Sequence, residues 1–267
     1  MPSYHWTPAE PPVLELDGLR LETACYGPSP DKAPTLVLLH EGLGCVALWR
    51  DFPEKLAMAT GFGVFAYSRA GYGRSDSIAL PRPLDYMTRE ALEALPRVLD
   101  AIGFERGMLV GHSDGASIAA VYAGLVEDRR LAGLTLIAPH FFAEAEGLAA
   151  IREARQAFEA GELRTRLAKY HVDVDAAFWG WCGAWLDPDF ARWSIADSID
   201  GWRAPALAIQ GDQDPYGTAR QIEEIERRAA VPVEVLMLPE CKHAPQFEAP
   251  ERTQTAIVEF CAKILPR

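Results

Sequence analysis

The sequence predicts an α/β protein: a mainly parallel central sheet, helices on both of its faces and one helical insertion. Three observations carry this. Apolar strand-like runs alternate with helical patterns through short links along most of the chain, the arrangement that builds parallel sheets from crossover units. The run Met108-Leu109-Val110 passes through Gly111-His112-Ser113-Asp114-Gly115 into the small-residue segment Ala116–Ala120, which sets a serine on a tight turn from strand to helix. Finally, the alternation breaks once, from Pro139 to about Arg203, where no strand pattern occurs.

Taken in order, Val13–Thr23 alternates around Asp17-Gly18 and reads as a β-hairpin. Thr35–Leu39 is continuously apolar, so it is a strand buried on both faces, and it ends in His40-Glu41-Gly42-Leu43-Gly44. A helical pattern from about Leu48 to Thr60 stops at Gly61. Val64–Tyr67 is the next strand and enters the glycine-rich turn Ser68–Asp76. A helix with Leu92, Leu95, Val98 and Leu99 as its apolar positions leads to the strand before Ser113. The strand Leu134–Ala138 follows the serine-bearing turn and its helix.

The insertion predicts helices over 143–160 and 162–170, then an aromatic stretch with Phe178, Trp179, Trp181, Trp185, Trp193 and Trp202. Alternation resumes with strand 206–209, helix 217–230, strand 233–238 and a last helix over 250–264. The predicted organisation is a core of residues 1–138 and 204–267 carrying a cap of residues 139–203.

The chain has 26 Lys and Arg against 38 Asp and Glu, a net charge of −12 that repels phosphate backbones and anionic lipid headgroups. Nucleic acid and membrane surfaces are therefore not expected as partners. Five scattered cysteines show no Cys-x-x-Cys or Cys/His ligand spacing, so neither a disulfide scaffold nor a metal site is expected. The opening residues Met1–Trp6 lack the basic and apolar regions of a signal peptide, and no apolar run reaches spanning length. The expected location is the cytoplasm.

Ser113 is the candidate nucleophile. Glycines at 111 and 115 suit a turn where strand and helix backbones nearly touch. A serine hydroxyl needs a base, and the base needs an orienting acid. Asp212 and Asp214 lie just past one downstream strand, and His243 just past the next. The ends of parallel strands share one edge of the sheet, so these groups can converge on Ser113, and either aspartate can supply the acid. Most of the insertion's tryptophans are expected to pack it onto the sheet. Their concentration above this edge also marks Trp179, Trp181 and Trp185 as candidates for lining an apolar substrate pocket.

From Leu36 to Phe260 the chain resembles the α/β-hydrolase-fold enzymes. The resemblance rests on the His40–Gly44 turn, the Arg69–Asp76 turn, the Gly-x-Ser-x-Gly turn, Gly211-x-x-Asp214 and the tail His243–Glu251. Within that superfamily, Ser-Asp-Gly and a short helical cap are similar to the biphenyl-hydrolase-like, or valacyclovir-hydrolase-like, serine esterases. The resemblance implies cofactor-free hydrolysis of a small carboxylic ester, with lactone or amide as alternatives. Ser113 attacks, His243 relays the proton, and Asp214, picked by the Gly-x-x-Asp pattern over Asp212, fixes the imidazole. The N–H groups of Gly42 and Asp114 form the oxyanion hole, and the Asp114 carboxylate is suited to an aminoacyl ammonium. The same triad also serves carbon–carbon bond hydrolases and cofactor-free perhydrolases. Some relatives only bind ligands, and an intact Ser/Asp/His set argues against that role.

Glu41 departs from the pattern, because glycine is usual there. A carboxylate facing the hole opposes the oxyanion, so Glu41 is expected to point away, to contact substrate, or to pair with Arg50, Arg69 or Arg74. His40 and His112 are expected to pack behind the motifs, and His5, His140 and His171 to lie on the surface or cap.

Overall fold

The computed structural model describes residues 4–8 and 13–266; residues 1–3, 9–12 and 267 of the expected core lie outside the described residues. Strands β1 (Leu14–Leu16) and β2 (Leu19–Leu21) pair antiparallel. Asp17 and Gly18 between them have φ of 52° and 81°, the two positive values that a two-residue hairpin turn requires. The main sheet contains β3 (Thr23–Tyr26), β4 (Thr35–Leu39), β5 (Gly63–Tyr67), β6 (Gly107–His112), β7 (Leu131–Ile137), β8 (Ala206–Gly211) and β9 (Val233–Leu238). Their order is β3-β5-β4-β6-β7-β8-β9, with β3 antiparallel to β5 and every other pair parallel. Only Glu22 separates β3 from β2, so the alternating pattern merges the two and conceals β3 as a strand of its own.

The helices are α1 (Phe52–Thr60), α2 (Tyr86–Arg89), α3 (Leu95–Ala101), α4 (Asp114–Leu125), α5 (Ala145–Glu159), α6 (Glu162–Leu167), α7 (Val174–Trp185), α8 (Arg220–Arg228), α9 (Pro245–Glu248) and α10 (Pro250–Ile264). Successive side chains of a strand point to opposite faces, so the core is double. Leu36, Leu38, Val64, Ala66, Met108 and Val110 pack with Leu56 of α1 and Phe260 of α10. Val37, Leu39, Phe65 and Leu109 pack on the other side with α3, α4 and the insertion.

Two helices depart from the sequence reading. The first starts at Phe52 rather than Leu48, after a 3-10 turn at Val46–Trp49, because Pro53 fits only the first turn of a helix. The second runs over 86–101 through a π turn at Glu90–Ala94. Pro96 has no N–H to offer the carbonyl of Leu92, and the widened turn leaves Leu92 40% exposed while Leu95, Val98 and Leu99 are buried.

The segment between β7 and β8 carries α5, α6, α7 and two 3-10 turns, Pro188–Arg192 and Ala196–Gly201. Helix α7 is apolar nearly all round because it lies between the core and α5, where the Phe158 and Phe178 rings stack at 3.7 Å. The Asp173 carboxylate caps its start by accepting from the Ala176 N–H at 2.9 Å. Two buried polar side chains fasten this segment over the sheet. Glu144 accepts from the Thr218 N–H (2.9 Å), the Thr218 hydroxyl (2.6 Å) and the Gln221 amide (2.7 Å). His171, expected at the surface or in the cap, is 4% exposed; it accepts from the Gly73 N–H at 2.9 Å and donates to the Leu43 carbonyl at 3.0 Å. Among the described residues, no helix is long and apolar enough to cross a membrane.

Candidate active site

Ser113 stands between β6 and α4 with φ 54° and ψ −119°, a backbone state that non-glycine residues rarely adopt. The surrounding chain holds it there: its N–H bonds to Ile137 O at 2.9 Å, and its carbonyl accepts from Ala116 at 2.8 Å and Ser117 at 3.0 Å. A Cβ at Gly111 would run into the Gly115 carbonyl and the Ala116 backbone, and one at Gly115 into the Leu39 carbonyl. Both glycines are therefore required by close backbone approach.

His243 Nδ1–H donates to Asp214 Oδ2 at 2.8 Å. A carboxylate only accepts, so this bond puts the hydrogen on Nδ1 and leaves Nε2 with a free lone pair. The same carboxylate accepts from Gln210 Nε2 at 2.8 Å and from the Tyr216 N–H at 2.8 Å. Burial pushes the Asp214 carboxyl up, but the bond to His243, the charge of that ring and the Tyr216 N–H outweigh it and hold the group below its ordinary value. Asp212 is exposed on the outside of the same turn. The structure thus joins Asp214, and not Asp212, to His243.

Ser113, Asp114 and His243 line one cleft with about 490 Å³ of empty space, part of it open to solvent. Glu41, Gly42, Leu43, His140, Gly147, Ile151, Trp181, Trp185 and Tyr216 complete its lining. Trp181 and Trp185, four residues apart, share the cleft face of α7. Trp179 does not reach it. Two residues from Trp181 on a helix lies on the opposite side, and Trp179 packs there edge-on to Phe158 and Phe178 beneath Arg155.

His140, expected at the surface or in the cap, is 4% exposed with its ring 5.6 Å from His243 and 5.4 Å from Trp185. Burial and the neighbouring His243 push its imidazole down to about 3, so it is neutral. Its position just past the end of β7, on the same sheet edge as the other site residues, was the available signal. Ile151 and Tyr216 carried none.

The turn after β4 is held from behind. The Glu41 carbonyl accepts from His40 Nδ1 (2.7 Å), Arg69 Nη2 (3.0 Å) and the Gly44 N–H (3.1 Å). Arg69 Nη1 also grips the His40 carbonyl, and His40 Nε2 accepts from the Arg69 N–H at 3.0 Å. In a trans peptide the N–H points opposite to the C=O, so pinning the Glu41 carbonyl aims the Gly42 N–H away from Arg69. Burial, with Arg69 adding to it, keeps His40 neutral, far below its usual range. A Cβ at Gly42 would run into the Trp181 indole, so that wall of the cleft needs glycine. Asp114 opens α4, and its N–H has no carbonyl one turn back within the helix.

None of the three arginines considered for Glu41 engages its carboxylate. Arg50 lies over the Phe247 ring, Arg69 grips the main chain, and Arg74 faces Glu22 at 4.0 Å. The neighbour is His112, whose Nδ1 is 3.6 Å from Glu41 Oε2. Burial raises the Glu41 carboxyl, but His112 and then Arg69 bring it below its ordinary value.

Comparison with known proteins identifies the fold family. Residues 34–180, more than half of the chain, match the family model for the alpha/beta hydrolase fold. The chain belongs to the α/β-hydrolase fold family. This α/β hydrolase is 33% identical over 117 residues to epoxide hydrolase B of Mycobacterium tuberculosis, covering 44% of this chain and 32% of the relative. It is 37% identical over 106 residues to a putative carbamate hydrolase, RutD, of Azorhizobium caulinodans, covering 39% and 37%. These matches span about a third of the relatives' length. Among solved structures it superposes on a carboxylesterase of the thaumarchaeon Nitrososphaera gargenis with a TM-score of 0.77 at 18% identity, covering 95% and 98% of the two chains. It superposes on the enol-lactonase of Burkholderia xenovorans LB400 with a TM-score of 0.70 at 19% identity, covering 93% and 99%. At such identities the likeness is one of fold.

In this α/β hydrolase the residue after Ser113 belongs to a buried polar chain. Trp185 Nε1–H donates to the Tyr86 hydroxyl at 3.0 Å, and that hydroxyl donates to Asp114 Oδ2. Asp114 Oδ1 has no hydrogen-bond partner among the described residues. Burial raises the Asp114 carboxyl above its ordinary value against the pull of Arg69, Tyr86 and Arg82. Tyr86 thus links Asp114 to Trp185, a role that its position in the 86–101 helix does not disclose.

Proposed function

We propose that this α/β hydrolase is a cofactor-free serine hydrolase of small carboxylic esters, with lactones or amides as related substrates. The observation that carries the reading is the 2.8 Å His243–Asp214 bond in one cleft with a serine held in a strained turn. Asp214 keeps the hydrogen of His243 on Nδ1, so Nε2 takes the Ser113 proton as Oγ attacks the carbonyl. The N–H groups of Gly42 and Asp114 receive the oxyanion, each worth about 3–4 kcal/mol in such sites. His243 returns the proton to the leaving group, and water then cleaves the acyl-enzyme by the same route.

Trp181, Trp185 and Ile151 favour an apolar acyl or alcohol group of modest size. A second reading concerns Asp114, whose unpartnered Oδ1 beside the cleft is suited to an α-ammonium, as in the esterases the elbow resembles. Carbon–carbon bond hydrolysis and perhydrolysis use the same groups and are separated by substrate alone. The net charge of −12 supports a small-molecule substrate rather than nucleic acid or membrane.

The test is a fluorophosphonate probe followed by p-nitrophenyl esters, lactones, anilides, and α-aminoacyl esters with their N-acetyl counterparts. Wild type should be labelled and Ser113→Ala not. Ser113→Ala and His243→Ala should each lower ester turnover by about 10⁴-fold or more and by similar factors, because the members act as a unit. A Ser113→Ala enzyme retaining more than about one-twentieth of wild-type turnover ends the proposal.

A further inference from the structure

His112 occupies the junction of three segments that must stay in register for the reaction. It closes β6 one residue before Ser113 and is 3% exposed. Its Nε2 lies 2.7 Å from the His243 carbonyl oxygen, which only accepts, so Nε2 bears a hydrogen and ties the His243 main chain to the serine turn. The opposite ring edge meets Gln246 Nε2 at 3.0 Å and Glu41 Oε2 at 3.6 Å. The other rings packed on it are His243 at 5.1 Å and Trp49 at 6.4 Å. Glu41 has no arginine or lysine partner among the described residues, yet it lines the cleft beside Gly42.

We propose that Glu41 and His112 form an interdependent pair that positions His243 and draws the Glu41 carboxylate off the oxyanion hole. The proposal rests on the serine-hydrolase reading above. With Nε2 committed to the His243 carbonyl, a bare Nδ1 accepts from Gln246 Nε2 at 3.0 Å and leaves the Glu41 oxygen at 3.6 Å with no donor on the ring. A hydrogen at Nδ1 turns the contact into an attraction. Gln246 tolerates either state, because its amide presents a donor at one end and an acceptor at the other. Glu41 therefore stands where a carboxylate would otherwise oppose catalysis, because His112 is there to hold it. In return Glu41 holds the ring whose far edge sets the His243 main chain. His112 is a positioning residue acting through His243, and the pair explains why the departure from glycine at 41 is compatible with the chemistry.

A double-mutant cycle on a neutral ester tests the pair, with rates normalised to Ser113 sites titrated by the fluorophosphonate probe. Glu41→Gln alone should lower kcat, by less than about tenfold, since the His112 ring loses its hold while the charge near the hole goes with it. His112→Asn should lower kcat by about 100-fold with little change in KM, since it frees the carboxylate and slackens the His243 loop. Adding Glu41→Gln to His112→Asn should recover at least about tenfold of that loss. His112→Gln, run in parallel against failure of His112→Asn to fold, should lose less and show the same recovery.

A merely structural histidine would lower the titrated fraction and the unfolding midpoint, with no recovery of kcat per site. Independent effects at the two positions, or equal effects of Glu41→Gln in both backgrounds, overturn the pair. Absence of labelling in wild type overturns the serine-hydrolase reading and the pair with it, an outcome distinct from labelled enzymes that show no coupling.

Discussion

Replacing Asp214 by Asn tests the acid assignment most sharply, because the structure specifies what the amide must do. The carboxylate accepts three hydrogen bonds, from His243 Nδ1, Gln210 Nε2 and the Tyr216 N–H. An asparagine keeps its oxygen on Tyr216 and places its NH₂ where Oδ2 was, opposite two donors. His243 then satisfies the NH₂ only by moving its hydrogen to Nε2, the nitrogen that the proposed mechanism uses as base. Turnover should fall by about 10⁴-fold, equivalent to about 5.5 kcal/mol of barrier. The Gln210 amide loses its acceptor on Asp214 but keeps the Gly217 carbonyl at 3.1 Å. Stability should therefore fall by only about 1–3 kcal/mol, the range for a buried donor left short of a partner. Asp212→Asn, on the exposed side of the turn, should stay within about twofold of wild type in rate and about 0.5 kcal/mol in stability. The assays are initial rates per titrated active site and urea midpoints. An Asp214→Asn enzyme with more than about a tenth of wild-type turnover, or a larger loss for Asp212→Asn, refutes the assignment.

Two further outcomes follow from the cleft. His140 titrates near 3 in the folded chain against 6.5 for the free imidazole, so acid protonates the unfolded chain first. Stability from this residue is complete above about pH 6.5 and is lost as the pH falls toward 3, by up to about 1.4 kcal/mol per pH unit. His140→Gln should flatten the fall in urea midpoint between pH 7 and 5, His40 and His171 keeping part of it; an unchanged slope would show that His140 does not carry it. Trp181→Ala and Trp185→Ala should raise kcat/KM for bulky relative to short esters, while Trp179→Ala should destabilise without altering that ratio. Equal shifts at all three positions would place Trp179 in the cleft after all.

Features that depend on neighbours along the chain were legible in the residue order. Gly111 and Gly115 mark a turn too tight for side chains, and Asp17-Gly18 a turn with two positive φ values. The runs at Thr35–Leu39 and Met108–Val110 mark strands buried on both faces. Because parallel strands end on one edge, the order of Ser113, the aspartate turn and His243 already brought those groups to one side of the sheet. Tertiary structure decided whatever depends on phase or on distant segments. Asp212 and Asp214 share one turn, and only burial against His243 and Gln210 separates them. Trp179 and Trp181 belong to one aromatic run, and only the seating of α7 turns the second to the cleft and the first to α5. Glu41 meets His112 rather than an arginine because adjacent parallel strands β4 and β6 bring their ends together, whereas Arg69, nearer in sequence, is occupied by two carbonyls. Local steric rules can be read from residues a few positions apart; the partner of a side chain is settled by packing that brings together segments far apart in the chain.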